Sequence, residues 1–144
     1  MVRRGISAIA ALAALGMAAG ASAQTVILHC TITSSSMINM PIDKTFIYRV
    51  GGTSWLEWSN EGGEWGRDLC KRFEYVPDIA CQFTPKQFNL SGSYGAVRAT
   101  MSVNRESGAL TASSSIATER RNERHSATGT CEPGTEPAAP KMKF

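Results

Sequence analysis

The sequence predicts an all-β fold after an N-terminal signal peptide: a small antiparallel β-barrel or β-sandwich of about eight strands held by two disulfides. Three observations predict it. Apolar and polar residues alternate with period two in several separate stretches, most cleanly where Val97, Ala99, Met101 and Val103 interleave with Arg98, Thr100 and Ser102. Short Gly-, Asn- and Ser-rich segments punctuate those stretches at turn-like intervals. Four cysteines all fall in the part of the chain that follows an export signal, where an even number reads as a disulfide framework.

The signal is read from Arg3 and Arg4, the apolar run from Ile6 to Ala19, and the small-x-small triplet Ala21, Ser22, Ala23. Residues 1–23 are therefore expected to be removed, with the mature chain beginning near Gln24 in a periplasmic or secreted location. The run is short and alanine-rich for a bilayer span, so no stable membrane insertion is expected after cleavage. Of the 144 residues, 121 then remain, enough for one core, and a single β domain is assigned to residues 24–131. Two of the fifteen basic residues leave with the signal, so thirteen face twelve acidic ones. That balance gives no electrostatic reason to expect nucleic acid or an anionic membrane as partner.

The mature chain opens with a strand in which Val26, Leu28, Cys30 and Ile32 alternate with Ile27, His29 and Thr31. Thr33 to Ser36 break it, and Met37 to Ile42, interrupted by Asn39 and Pro41, reads as a loop crossing the sheet end. Phe46, Tyr48 and Val50, a turn at Gly51 to Ser54, and a return at Trp55 to Trp58 form a hairpin. In its second strand Leu56 and Trp58 share one face and Trp55 and Glu57 the other; the face with two apolar members is expected to be the core, leaving Trp55 with water. Asn60 to Gly66, holding Gly62, Gly63, Gly66 and Trp65, reads as turn. Leu69 to Tyr75 and Ile79 to Phe83 form a second predicted hairpin through Pro77, with Cys70 opposite Cys81.

Beyond Pro85 and a turn at Ser91 to Gly95 comes a three-stranded meander from Val97 to Cys131. Its first turn, Arg105 to Gly108, ends in a glycine where a hairpin often needs positive φ. Pairing Asn104 with Ala109 sets Val103 against Leu110, Met101 against Ala112 and Val97 against Ile116, so every dry residue meets a dry one. Extending the register with Thr118 opposite His125 places Cys131 beside Ala112. Ala117 to Ala127 has no apolar stripe for a helix to bury and reads as a solvated hairpin tip. Residues 132–144, with Pro133, Gly134, Pro137 and Pro140, read as a disordered C-terminal tail.

Three disulfide connectivities are open. Cys70 with Cys81 and Cys30 with Cys131 is favoured, because the first pair brackets a local hairpin and the second ties the first strand to the last. A four-cysteine zinc site needs close CxxC pairs, and the spacing here has none.

The chemistry-bearing residues are few. His29 and His125 are the only histidines, and no GxSxG elbow accompanies them. Met37 and Met40 near His29 form a soft donor set of the kind Cu(I) takes, although methionine serves more often as core filler. Trp55, Glu57 and Trp65 combine aromatic faces with acceptors, as a sugar-binding surface does. Arg120, Arg121 and Arg124 could grip an acidic partner at the hairpin tip, with Glu119 and Glu123 interleaved among them. The function expected is that of an exported, non-enzymatic binding or interaction domain, needing no cofactor, for a protein or an envelope glycan. The alternatives are a small exported hydrolase acting on the cell envelope and a purely structural envelope protein.

Overall fold

The computed structural model describes residues 24–71 and 78–138. The expected signal peptide, residues 1–23, lies outside them. Among the described residues nine strands are present where the sequence predicts about eight: β1 (Val26–Ser35), β2 (Thr45–Gly51), β3 (Ser54–Ser59), β4 (Glu64–Asp68), β5 (Asp78–Phe83), β6 (Gln87–Tyr94), β7 (Val97–Asn104), β8 (Ala109–Ala117) and β9 (Asn122–Pro133). They form one antiparallel sheet in the order β4-β3-β2-β1-β9-β8-β7-β6-β5. The sheet curls into a half-barrel. Two meanders, β1 to β4 and β5 to β9, are joined where β1 pairs with β9, and β4 and β5 are left as the two edges.

The extra strand comes from the stretch read as turn. Glu64 to Asp68 is β4, and Trp65 pairs with Trp58 across it. Here the cross-strand aromatic pair outweighs the flanking glycines, because the two rings meet edge to face with centroids 5.2 Å apart. The segment after Ser35 is a loop, as expected, and it packs Met37 and Met40 against the core.

The β7–β8 register is the one the alternation predicts: Val103 faces Leu110, Met101 faces Ala112 and Val97 faces Ile116. Its turn is held by Asn104, whose side-chain oxygen accepts from the backbone N–H groups of Glu106 and Ser107, each at 2.9 Å. Gly108 adopts φ of 73° there. The next ladder differs by four positions. Ala112 faces Ala127 and Ser114 faces His125, so Cys131 lies beside Gly108 and donates its N–H to that carbonyl at 2.7 Å. The reason is a tight turn: Thr118 and Arg121 exchange backbone hydrogen bonds around Glu119 and Arg120. Since the displacement is an even number of residues, Cys131 still faces the core.

Both favoured disulfides are present. Cys30 and Cys131 are directly opposed on β1 and β9. Cys70 and Cys81 are also bonded, but the expected hairpin around them is not what brings them together. Among the described residues, Leu69 to Lys71 lie past the end of β4 and make no ladder with β5, which pairs only with β6. The remaining residues of that hairpin's first arm, 72–75, lie outside the described structure. The bond clips one edge of the curled sheet to the other, across Cα atoms 5.5 Å apart.

The core lies on the concave face: Cys30, Ile32, Val50, Trp55, Phe88, Val103 and Leu110 are almost fully buried. The tail departs from expectation at its start. Glu132 and Pro133 belong to β9, and residues 134–136 cross the outer face instead of leaving it. Gly134 donates its N–H to the Ile27 carbonyl at 2.9 Å, His29 Nε2 donates to the Thr135 carbonyl at 3.1 Å, and Trp65 Nε1 donates to Glu136 Oε1 at 2.8 Å. Residues 139–144 lie outside the described structure.

Candidate functional site in the concave face

The site is built by the β2–β3 hairpin. Phe46, Tyr48 and Val50 alternate inward, and a two-residue loop at Gly52 and Thr53 fixes what faces them: Val50 pairs with Trp55 and Tyr48 with Glu57. The predicted facing of this strand is therefore corrected. Trp55 is fully buried, while Leu56 and Trp58 take the outer face and are half-buried there. Counting apolar residues favours Leu56 and Trp58, but the partner strand decides. The outer face has its own cover, since Trp58, Trp65 and the Arg49 guanidinium, 4.9 Å from the Trp65 ring, cluster under the tail.

Glu57 consequently points into the concavity beside Tyr48. Burial raises its carboxyl above the ordinary carboxylate range, and the nearby Lys44 charge partly offsets this. Tyr48 is raised further still, first by its own burial and then by the Glu57 charge. Tyr48 stacks on Phe46 with centroids 6.0 Å apart and meets Trp55 edge to face at 5.8 Å. Lys44 places its ammonium 4.6 Å from the Phe46 ring centroid.

A cavity of about 470 Å³ opens from this corner. Met37 and Met40 from the β1–β2 loop, Phe46, Tyr48 and Leu69 line it on one side of the seam. Ile79, Leu90, Met101 and Ala112 line it on the other. A second cavity of about 490 Å³, with Ser59, Asn60, Glu61 and Arg67 in its wall, shares Lys44, Phe46, Glu57 and Leu69 with the first. Among the described residues, the waist where the two cavities meet carries one acid, one base, one aromatic ring and Leu69.

The other residues singled out by sequence lie elsewhere. Trp65 is on the outer face, 4.9 Å from Arg49 and bonded to Glu136. Arg120, Arg121 and Arg124 are exposed at the β8–β9 tip. Arg121 contacts Glu123 at 2.7 Å, and that bond holds the Glu123 carboxyl below its usual range. His125 Nε2 sits 3.5 Å from the same carboxylate, across the ladder from Ser114. His29 is turned outward to the tail, on the opposite face from the buried Met40, so the Cu(I) donor set is not brought together. No family model, curated protein or solved structure matches this chain.

Lys44, Tyr48, Leu69, Ile79, Leu90 and Met101 are the site residues that sequence reasoning missed, while Met37 and Met40, which the sequence singles out for Cu(I) chemistry, instead line the cavity. A usable signal existed for one: with the Gly51–Ser54 turn read as a two-residue hairpin loop, residue counting alone pairs Tyr48 with Glu57. The rest depend on how far the sheet curls.

Proposed function

We propose that this protein is an exported, non-enzymatic binding module that takes a small, largely apolar ligand in the concavity of its half-barrel. One observation carries the reading: the 470 Å³ cavity has an apolar wall drawn from both edges of the sheet, with one half-buried carboxylate set into it. That combination, an apolar pocket with a few placed polar groups, is the common build of a small-molecule site. Methionine contributes three of the lining side chains, and its flexible thioether adapts to a bound shape at little cost. Export is the companion proposal, supported by the two disulfides and by the signal-like residues 1–23.

The test is titration of the mature protein with N-phenyl-1-naphthylamine, an uncharged probe that fluoresces in apolar surroundings. Saturable enhancement at one site per chain is expected, and Leu90→Trp, which fills the cavity, should abolish it while the far-ultraviolet circular dichroism stays unchanged. Absence of saturable binding, or equal binding by a folded Leu90→Trp variant, overturns the reading.

A further inference from the structure

The waist between the two cavities already holds a positive charge. The Lys44 ammonium lies over the Phe46 ring at 4.6 Å and is the one charge that lowers the Glu57 carboxyl toward its ordinary range. Lys44 is itself exposed and reaches inward on a flexible stem, so displacing its head group into water costs little. Glu57 is different. It is half-buried, and no hydrogen bond or ion pair to another described residue holds its carboxylate. A carboxylate removed from water without a close partner favours a cation brought to it.

Resting on the reading above that the concavity is a binding site, we propose that its ligand is a cationic amphiphile, an apolar chain or ring system bearing an ammonium group. Its positive centre replaces the Lys44 ammonium on Phe46 and pairs with Glu57, and its apolar body fills the chamber lined by the methionines. Three features of the site converge on that chemistry. Glu57 is the one acid among the described residues lining the apolar cavity. Phe46 and Tyr48, stacked with an interplanar angle of 4°, present the aromatic surface that attracts organic cations. Lys44, the one base among the described lining residues, is tethered where the ligand's charge would sit, so it acts as an internal competitor. An anionic amphiphile would bring its carboxylate beside Glu57, with the exposed Lys44 the one base among the described residues of that cavity's lining to offset the repulsion.

The experiment is competition against bound N-phenyl-1-naphthylamine near neutral pH with three ligands of one chain length, each below its micelle concentration: decyltrimethylammonium, decanol and decanoate. The ammonium is expected to displace the probe at about tenfold lower concentration than decanol, with decanoate the weakest. Glu57→Gln should remove the ammonium's advantage and leave decanol unchanged. Lys44→Ala, a change at an exposed side chain that leaves the fold intact even if Glu57→Gln does not, should strengthen ammonium binding about threefold by removing the competitor. Decanoate binding best and weakening in Lys44→Ala would overturn the proposal in favour of an anionic ligand. Equal displacement by all three, unaffected by either variant, would overturn it while leaving an apolar site. Failure of the probe itself to bind saturably would remove the underlying reading as well.

Discussion

Replacing Cys70 and Cys81 together by alanine tests what holds the half-barrel closed, because these residues tie edges that share no backbone ladder. The loop they close has a sequence separation of 11, for which chain entropy predicts a stabilisation of about 3 kcal/mol. The Cys30–Cys131 bond, with a separation of 101, is worth about 4.7 kcal/mol on the same basis. Cys30 is also fully buried, so its removal adds a packing loss. For a domain of this size about 4 °C of melting temperature follows each kcal/mol, giving a fall of about 12 °C for the edge clip and more for the inner staple. The two bonds should then separate in a second assay. The β1–β9 ladder still aligns its strands when Cys30 and Cys131 are replaced, so probe binding survives at temperatures where that variant is folded. The edge clip lies beside Leu69 and Ile79, on opposite walls of the cavity, so its loss weakens binding in fully folded protein. Thermal unfolding followed by circular dichroism, with probe titration at a temperature well below both midpoints, measures the two effects. Unchanged probe affinity in Cys70→Ala/Cys81→Ala would refute the seam as a wall of the site, and a larger loss of stability from that variant than from Cys30→Ala/Cys131→Ala would refute the entropic ranking.

Gly129→Ala should destabilise the fold by about 2 kcal/mol or more, read from urea unfolding, because a Cβ there collides with the Thr31 carbonyl oxygen at the β1–β9 ladder, where backbone cannot yield cheaply. Glu57→Gln should raise stability at neutral pH. Its carboxyl is raised in the folded state, so folding grows less favourable as pH climbs from the unfolded to the folded value; the variant's advantage is full above that window and vanishes below it, as paired melts across pH would show. Ending the chain after Pro133 should uncover Trp65, which loses its bond to Glu136, and shift tryptophan emission to longer wavelength, with Glu136→Ala giving a smaller shift of the same sign.

The parts of this fold legible in the sequence are those that rest on local alternation. Val97 to Ile116 could be paired residue by residue because a short polar turn and two period-2 runs leave a single register that joins dry to dry. Cys30 and Cys131 could be joined because each sits on the dry side of a terminal strand. Where the answer depended on a partner strand, local reading failed. Trp55 reads as the wet side of its own strand, yet Val50 across a two-residue loop turns it into the core and turns Glu57 toward the cavity. Cys70 and Cys81 read as the arms of one hairpin because they are close in sequence, whereas the bond joins the end of one sheet edge to the other with no ladder between them among the described residues. Trp65 reads as turn because glycines surround it, and its strand is made by Trp58 on the neighbouring one. The cavity inherits all of these non-local facts, so it is the feature least visible in the chain.

The account stands on a ligand entering that cavity, and the methionines report it directly. Met37, Met40 and Met101 line the chamber, while the fourth methionine after residue 23, Met142, is two positions from the end of the sequence. A titration of methyl-¹³C-methionine protein with decyltrimethylammonium, followed by the methyl resonances, should move the three cavity signals along one saturation curve and leave Met142 unmoved. Cavity methyls that stay fixed at saturating ligand, or all four moving without saturation, would contradict the central claim.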